Sequence, residues 1–594
     1  MLAKEPNLAG LVSAAITSVQ LRAVAASRLV VFAAIVACGN ATHGDGGAGG
    51  ARNSASGAPG SSGGAMGGAG AMGGRGTSGL GGAVDGGFAG SASGAPPTAS
   101  GGAGGRGSAD GGRMTSPGGA GGRSEAAGAG AQAGGGDAGA AGTGRGGAGH
   151  AAGGATSGSS GSGGSNEVVT PGVTKDDETL VTSDGLTIVS YGGYLNGESF
   201  QEDGIVSYGG YQYAAFWNSA RHVVVARRTL PAGAWSSIEL TDYTNTADDA
   251  HNTISLGIAP GDGTLHLAFD HHDDDLHYRR SAIGLLSAPA TAAWAAASFG
   301  TVTSALAGST KVTGVTYPRF VTEPGANQML FDTRIGSSGS GDEYLWEYDT
   351  ATHAWKSLGK YLDGISSSVN AYLHGLMYTP GGTRLHAAWC WRETPDAQTN
   401  HDLFYAYSDD NGRNWQDNSG NLVAIAGSRF VTKDTASAKV WDIRQNRGLI
   451  NQEHMTVDAS GVVHVLLSHM PDSEPDDADF TSSRTKSQFF HYFRAADGTW
   501  SRVPIGLPVI ENFRGKLAAS STRNVYAILP DLRIAAASAA KNYQDWTLLD
   551  QSDSGKFFSD PLIDTARLLL EDKLTIYYPE KSSSKIDALD YTIR

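Results

Sequence analysis

Histidine, tyrosine and arginine recur at the open ends of short hairpin-like repeats in this chain, a combination suited to moving protons beside a carboxylate. In HNTISLGIAPGDGTLHLAFDHH, residues 251–272, the turn Pro-Gly-Asp-Gly separates two runs of strand composition. His251 lies about ten residues before the turn centre and His271 about ten after. Antiparallel pairing therefore brings both to one end, on strands about 5 Å apart. The next unit, YPRFVTEPGANQMLFDTR, turns near Gly325 and returns Arg334 toward Tyr317. NAYLHGLMYTPGGTRLHAAWCWRE carries Asn370 and Tyr372 back toward Arg392, and in NQEHMTVDASGVVHVLLSH Asn451 and His454 approach His469.

Several chemistries use such residues. Glycoside hydrolysis normally needs paired carboxylates, and the rim shows no obvious pair. A sialidase needs an arginine triad, of which only Arg334 and Arg392 stand out. His271, His272 and His277 with the acidic run 273–275 match no familiar metal-ligand spacing, so no catalytic metal is expected. β-Elimination from a uronic-acid polymer fits best. Arg334 can take the carboxylate in a two-pronged hydrogen bond, His251 titrates where a base is useful near neutrality, and Tyr317 can protonate the leaving oxygen. Tyr372, Arg392, Asn370 and His454 are the expected substrate-binding residues.

To position these side chains the chain must repeat one supersecondary unit around a centre. From about residue 166 onward, runs of Val, Ile, Tyr, Phe and Trp alternate with Gly, Asp, Asn and Pro turns, and no long amphipathic helix is evident. Units recur near 205–240, 251–300, 317–359, 372–425, 451–505, 514–550 and 558–594. SDDNGRNW at 408–415 has the Asp-box spacing, a turn between outer strands in which Asp410 and Trp415 are structural. The expected fold is all-β, a seven-bladed β-propeller spanning 166–594, closed by a leftover strand around residues 180–190 that pairs with the last unit.

The remainder of the chain reads differently. Residues 39–165 are mostly Gly, Ala and Ser and cannot bury enough surface to offset chain entropy, so they are expected to form a disordered tether. In 1–38, Arg22 and Arg28 precede the short apolar run 29–36 and a small residue before Cys38, the order of a lipoprotein-type signal with Cys38 as the lipidated residue. A bacterial cell-surface or outer-membrane lipoprotein is expected, with a secreted protein as the alternative. The apolar run is too short to span a bilayer. With two cysteines in all, no disulfide framework is expected. A net charge of −15 argues against nucleic acid as partner.

Taken together, HNTISLGI with a second histidine after GTLHLAFDHH, VTYPRF, DTRIGSSGSGDEYLWEY and LHAAWCWRE with HDLFYAYSDDNGRNW resemble the BNR-repeat propeller family that includes ulvan lyases. The resemblance covers most of 175–505. It implies a seven-bladed propeller that cleaves a rhamnose-linked uronate polymer, an anionic polysaccharide, by elimination at the uronate C4–O bond. Residue by residue, His251 and His271 match the two family histidines, Tyr317 the catalytic tyrosine, Arg334 the carboxylate-neutralising arginine and Tyr372 a substrate-contacting tyrosine. Related propellers include α-L-rhamnosidases, so a hydrolase and a non-catalytic glycan-binding propeller stand as alternatives. Elimination needs no cofactor. A structural calcium or zinc ion is compatible with the sequence, with Cys390 beside His374 or His401 as a donor set, and a monomer is expected.

Overall fold

Strands that are buried along their whole length alternate here with strands exposed on one face, the signature of blades packed side by side around an axis. Ile254–Ala259 and Thr264–Phe269 are buried at every residue, so they read as continuous apolar runs, whereas the peripheral strands Ser236–Leu240 and Thr547–Asp550 keep exposed positions. The structure is a computed structural model that describes residues 169–186, 188–190, 193–322 and 327–594. These lie in the unit Leu80–Arg594; the unit Met1–Gly79, and with it Cys38 and the expected signal, falls outside the described residues, as does the whole of the expected tether.

Seven antiparallel blades follow in chain order. Blade 1 is Ile205–Tyr208, Tyr211–Trp217, Val223–Thr229 and Ser236–Leu240. Blade 2 is Ile254–Ala259, Thr264–Phe269 and Tyr278–Arg280, its outer edge completed by bridges to Phe299 and Thr303. Blade 3 is Val315–Thr322, Gln328–Ser337, Ser340–Asp349 and Ala354–Leu362. Blade 4 is Asn370–Tyr378, Leu385–Arg392 and Asn400–Ser408 with short outer strands. Blade 5 is His454–Val457, Val463–His469, Gln488–Arg494 and Trp500–Pro508. Blade 6 is Lys516–Ala519, Val525–Leu529, Arg533–Ala537 and Thr547–Asp550. Blade 7 is Leu562–Ile563, Lys573–Pro579 and Ile586–Ile593, and its outer strand is Val173–Thr182 from the other end of the chain.

That last pairing closes the ring, with Val173 opposite Ile593 and Thr182 opposite Ile586. The closing strand therefore begins several residues before the stretch expected from the sequence. Across the seam the Arg228 guanidinium donates to both oxygens of Asp590 at 2.9 and 2.7 Å, and both side chains are buried. Apolar clusters fill the spaces between neighbouring blades, as where Tyr213, Trp217 and Val225 of blade 1 pack on Leu256, Leu267 and Phe269 of blade 2. Each such side chain contributes roughly 1.5–3 kcal/mol through burial. The Asp box closes as a turn: Asn414 donates to Asp410 at 2.8 Å through its backbone and 2.6 Å through its side chain. The Trp415 indole donates to the Gly412 carbonyl at 2.9 Å and stacks on Tyr361. Among the described residues the α-helices are seven residues each, and none is long and apolar enough to cross a membrane.

Candidate active site

The inner hairpins of blades 2, 3 and 4 bring their chemically capable residues to one end. Tyr317 sits within the inner strand of blade 3 at φ 61°, a conformation costly for a bulky side chain and found mostly where structure holds a functional residue in place. A register shift between Thr316 and Arg319 accompanies it, and Arg334 pairs with Thr316 across the ladder. The Arg334 guanidinium lies 4.9 Å from the Tyr317 ring centre and donates to the Thr316 hydroxyl at 2.9 Å. His251 stands 5.9 Å from Tyr317 between ring centres. Tyr372, from the inner strand of blade 4, is 6.0 Å from Tyr317. The Arg392 guanidinium covers the Tyr372 ring at 4.4 Å and donates to its hydroxyl at 3.1 Å, while Arg334 reaches the same hydroxyl at 3.5 Å. Arg392 is fixed by Asn400 at 2.9 Å and Asn451 at 2.6 Å. Two cations thus converge on one phenol, an arrangement that suits an anionic ligand.

His251 precedes the inner strand of blade 2, and its Nδ1 is 2.6 Å from Asp249 Oδ1. The second oxygen of Asp249 is 2.7 Å from Nδ1 of His272, whose ring stacks on His251 at 4.0 Å. Burial raises the Asp249 carboxyl, and hydrogen bonds from the two imidazoles outweigh it, leaving the group well below the ordinary carboxylate range. Asp249, His251 and His272 are also the group spaced to hold a metal ion among the described residues, with donor atoms within 4.8 Å of one another.

Beneath these residues the segment 195–202 enters the centre of the ring, buried from 195 to 201 and half-buried at Glu202. Phe200 stacks on His251 at 5.3 Å and meets Tyr317 edge-on at 5.1 Å. The Ser199 backbone N–H donates to Asp560 at 2.8 Å and its carbonyl accepts from Lys516 at 2.7 Å. Farther along the axis Arg319 pairs with Asp332 at 3.2 Å and Glu202 at 3.6 Å. Burial pushes the carboxyls here upward, Asp203 to about 8 and Glu453 to about 7, the latter against the opposing pull of Arg484. Glu198 and Asp560 are both raised, mainly by burial.

His251, Tyr317, Arg334, Tyr372 and Arg392 therefore lie together. Asn370 pairs with Arg392 in the blade 4 ladder and is fully buried. A Cβ placed on Gly341 would approach Asn370 Oδ1 to 2.0 Å and Arg334 to 2.9 Å, so Gly341 admits the close approach of these two side chains. His271 is turned elsewhere: its Nε2 accepts the His277 backbone N–H at 2.8 Å and its ring stacks on His277. Burial holds His271 well below its ordinary range. His454 accepts the Leu517 backbone N–H at 3.0 Å, joining blade 5 to blade 6, and burial depresses it as well. Cys390 is buried and its thiol is pushed up to about 12 by burial. His401 is bound to Glu393 at 3.2 Å and Asp402 at 3.0 Å, and His374 accepts the Glu453 backbone N–H at 3.3 Å.

A family model for BNR repeat-containing family members matches residues 211–506, which spans most of blade 1 through nearly all of blade 5. The chain belongs to the BNR repeat-containing family. Ulvan lyases (long isoform) of Pseudoalteromonas sp. (strain PLSV) and Alteromonas sp. (strain LOR) are each 25% identical over 262 residues, 37% of this chain and 26% of theirs. The chain thus matches about a quarter of the length of these relatives. A crystal structure of the polysaccharide lyase Uly1 superposes with a TM-score of 0.55 at 18% identity, over 70% of this chain and 99% of that one, which places the fold.

For this BNR-repeat chain, three contributors to the site fall outside what hairpin spacing indicates. Phe200 comes from a loop whose sequence, LNGESFQED, carries no strand or motif signal. Asp249 stands two residues before His251 in DDAHN, a spacing common in ordinary turns. Arg514, whose guanidinium lies 5.6 Å from the Phe200 ring and donates to the Asn451 carbonyl at 2.7 Å, precedes the inner strand of blade 6.

Proposed function

We propose that this protein is a polysaccharide lyase of the ulvan-lyase type, acting on an anionic polymer of rhamnose and uronic acid by β-elimination. The observation that carries the reading is Tyr317, whose ring centre lies 5.9 Å from that of His251 and 4.9 Å from the Arg334 guanidinium. Arg334, with Tyr372 and Arg392 behind it, engages the uronate carboxylate and stabilises the negative charge that develops there. A base removes the C5 proton, its electron pair forms the C4–C5 double bond, the C4–O bond breaks, and an acid returns a proton to the leaving oxygen. His251 is the base and Tyr317 the acid. For the uronate epimer that presents its C5 proton on the opposite face, Tyr317 serves in both roles. No metal or cofactor enters any step.

The similarity to ulvan lyases over the matched segment supports the substrate class. Hydrolysis is less well supported, because Asp249, the carboxylate bonded to His251, is held by two imidazoles. The test is the ultraviolet absorbance of an unsaturated uronate, followed with ulvan, gum arabic and related uronate polymers. A rise with one of them is expected, and reducing ends released without absorbance would identify a hydrolase instead. The same reading places the enzyme at a bacterial surface through lipidation of Cys38. Cys38→Ala should then move it from the membrane to the soluble fraction, and continued sedimentation with membranes would remove the anchor.

A further inference from the structure

His251 cannot act as a base unless the correct nitrogen carries the lone pair, and the surrounding structure decides which one does. An ionised carboxylate carries no proton and only accepts hydrogen bonds, so Nδ1 of His251, 2.6 Å from Asp249 Oδ1, is the donor. The same holds for His272, whose Nδ1 lies 2.7 Å from the other oxygen. The Asp249 loop is itself fixed: the His251 backbone N–H donates to Asp249 at 2.9 Å, and the neighbouring Asn252 is held by Asp270 at 2.6 Å and by the Trp217 indole at 2.7 Å. His251 lies between Phe200 and His272, nearly parallel to both, with interplanar angles of 11° and 18°. Rotation of the ring is blocked from both faces.

A metal ion is the competing account of the same three residues. Two ligands bound at about 2.0–2.1 Å to one tetrahedral zinc stand roughly 3.3 Å apart. The nitrogen to oxygen separations here are 2.6 and 2.7 Å, the length of charge-assisted hydrogen bonds, and each nitrogen uses a different carboxylate oxygen.

We propose that Asp249 is a positioning residue that fixes His251 and His272 together in the Nδ1–H tautomer, so that His251 presents the lone pair of Nε2 to the reaction. The role given to His251 rests on the lyase reading; the tautomer does not. Among the described residues, the charged and titratable groups facing the pair include Glu198 of the central segment, Asp274 beside His272, Tyr317 of blade 3, and Arg514 beyond Phe200. One carboxylate serving two stacked rings also means that a proton taken up by His251 is stabilised by Asp249 while His272 stays neutral, since two stacked imidazolium ions would repel.

The experiment uses the full chain labelled with ¹⁵N-histidine, with ring tautomers read by multiple-bond nitrogen–proton correlation and His251 assigned by its loss in His251→Gln. In the wild type both rings should be Nδ1–H. In Asp249→Asn the amide accepts from one ring and donates to the other, so one of the two should switch to Nε2–H. The activity arm should show kcat reduced roughly 10- to 100-fold with KM little changed, and the acid limb of kcat/KM moved to lower pH, because loss of the carboxylate lowers the histidine pKa. Formate should partly restore Asp249→Ala, which a purely structural loss would not allow. Unchanged tautomers in Asp249→Asn would overturn the proposal, as would zinc that binds the wild type and shifts the His251 and His272 resonances together. If no uronate polymer yields absorbance with the wild type, the lyase reading fails, and the tautomers still decide the role of Asp249.

Discussion

Two of the stacked histidine pairs among the described residues differ in what holds them. His251 and His272 stack at 4.0 Å near the open end of blade 2, and each is bound to a carboxylate that is itself partly exposed. His464 and His491 stack at 5.1 Å inside blade 5, hydrogen-bonded to each other at 2.9 Å and enclosed by Phe493, Tyr543 and Trp546. Burial depresses both members of the second pair, with Asp458 3.9 Å away from His464 as a weaker opposing influence. The first pair has an orienting acceptor and lies beside Tyr317, the proton donor of the proposed reaction. The second has an aromatic residue's job, filling the blade, with one nitrogen of each ring paired to the other ring. Residue type is the same; the partner and the solvent decide the role.

The comparison is broken most directly at Tyr317. Tyr317→Phe and His251→Ala should each lower the elimination rate by roughly 10²–10⁴-fold with polymer binding still detectable, since each removes a proton transfer and leaves the carboxylate contact. His491→Phe should leave turnover per folded molecule unchanged while costing about 1–3 kcal/mol of stability. Full activity of Tyr317→Phe on both glucuronate and iduronate oligosaccharides would remove the mechanism.

Arg334→Lys comes next. It keeps the charge and loses the planar fork, so a fall in turnover of roughly tenfold or more is expected with the melting temperature little changed; near wild-type rates on a uronate polymer would take Arg334 out of carboxylate binding.

The blade 5 pair makes a smaller, pH-dependent prediction. Both histidines are neutral in the fold, whereas the unfolded chain takes up a proton on each below about pH 6.5. Their contribution to stability is therefore complete above that pH and drains away as pH falls toward their depressed folded values. The double variant His464→Phe/His491→Phe should lose less melting temperature between pH 7.5 and pH 5 than the wild type. A residual slope should persist from His266 and His469, each held down to about 3 by burial. An unchanged slope would show that neither histidine resists protonation in the fold. His271→Ala should have the smallest effect on catalysis, less than tenfold, because the ring is turned to His277 and away from Tyr317. A loss as large as that of His251→Ala would place His271 in the reaction.

Much of the architecture could be read from the chain because a blade is a local object. Alternating strand and turn chemistry placed units near 205–240, 317–359 and 514–550, and the observed blades occupy those intervals. Hairpin ends were equally accessible: Tyr317 and Arg334, and Tyr372 and Arg392, meet because each pair is separated by one turn. Which member of the adjacent histidines faces His251 was not accessible. The blade 2 ladder pairs Ile254 with Phe269, and continuing it sets His251 opposite His272, leaving His271 on the other face. With a side-chain period of two, one residue of register exchanges the faces, and counting from a turn does not resolve one residue. Phe200 and Arg514 reach the site through the closed ring, more than three hundred residues apart in the chain, and Asp249 gains its role only when two imidazoles from opposite ends of a hairpin converge on it. Composition, turn chemistry and local spacing determined the repeated blade and its reactive edge; ring closure, strand register and the central segment decided which side chains touch, because those depend on contacts between parts of the chain that carry no information about one another in sequence.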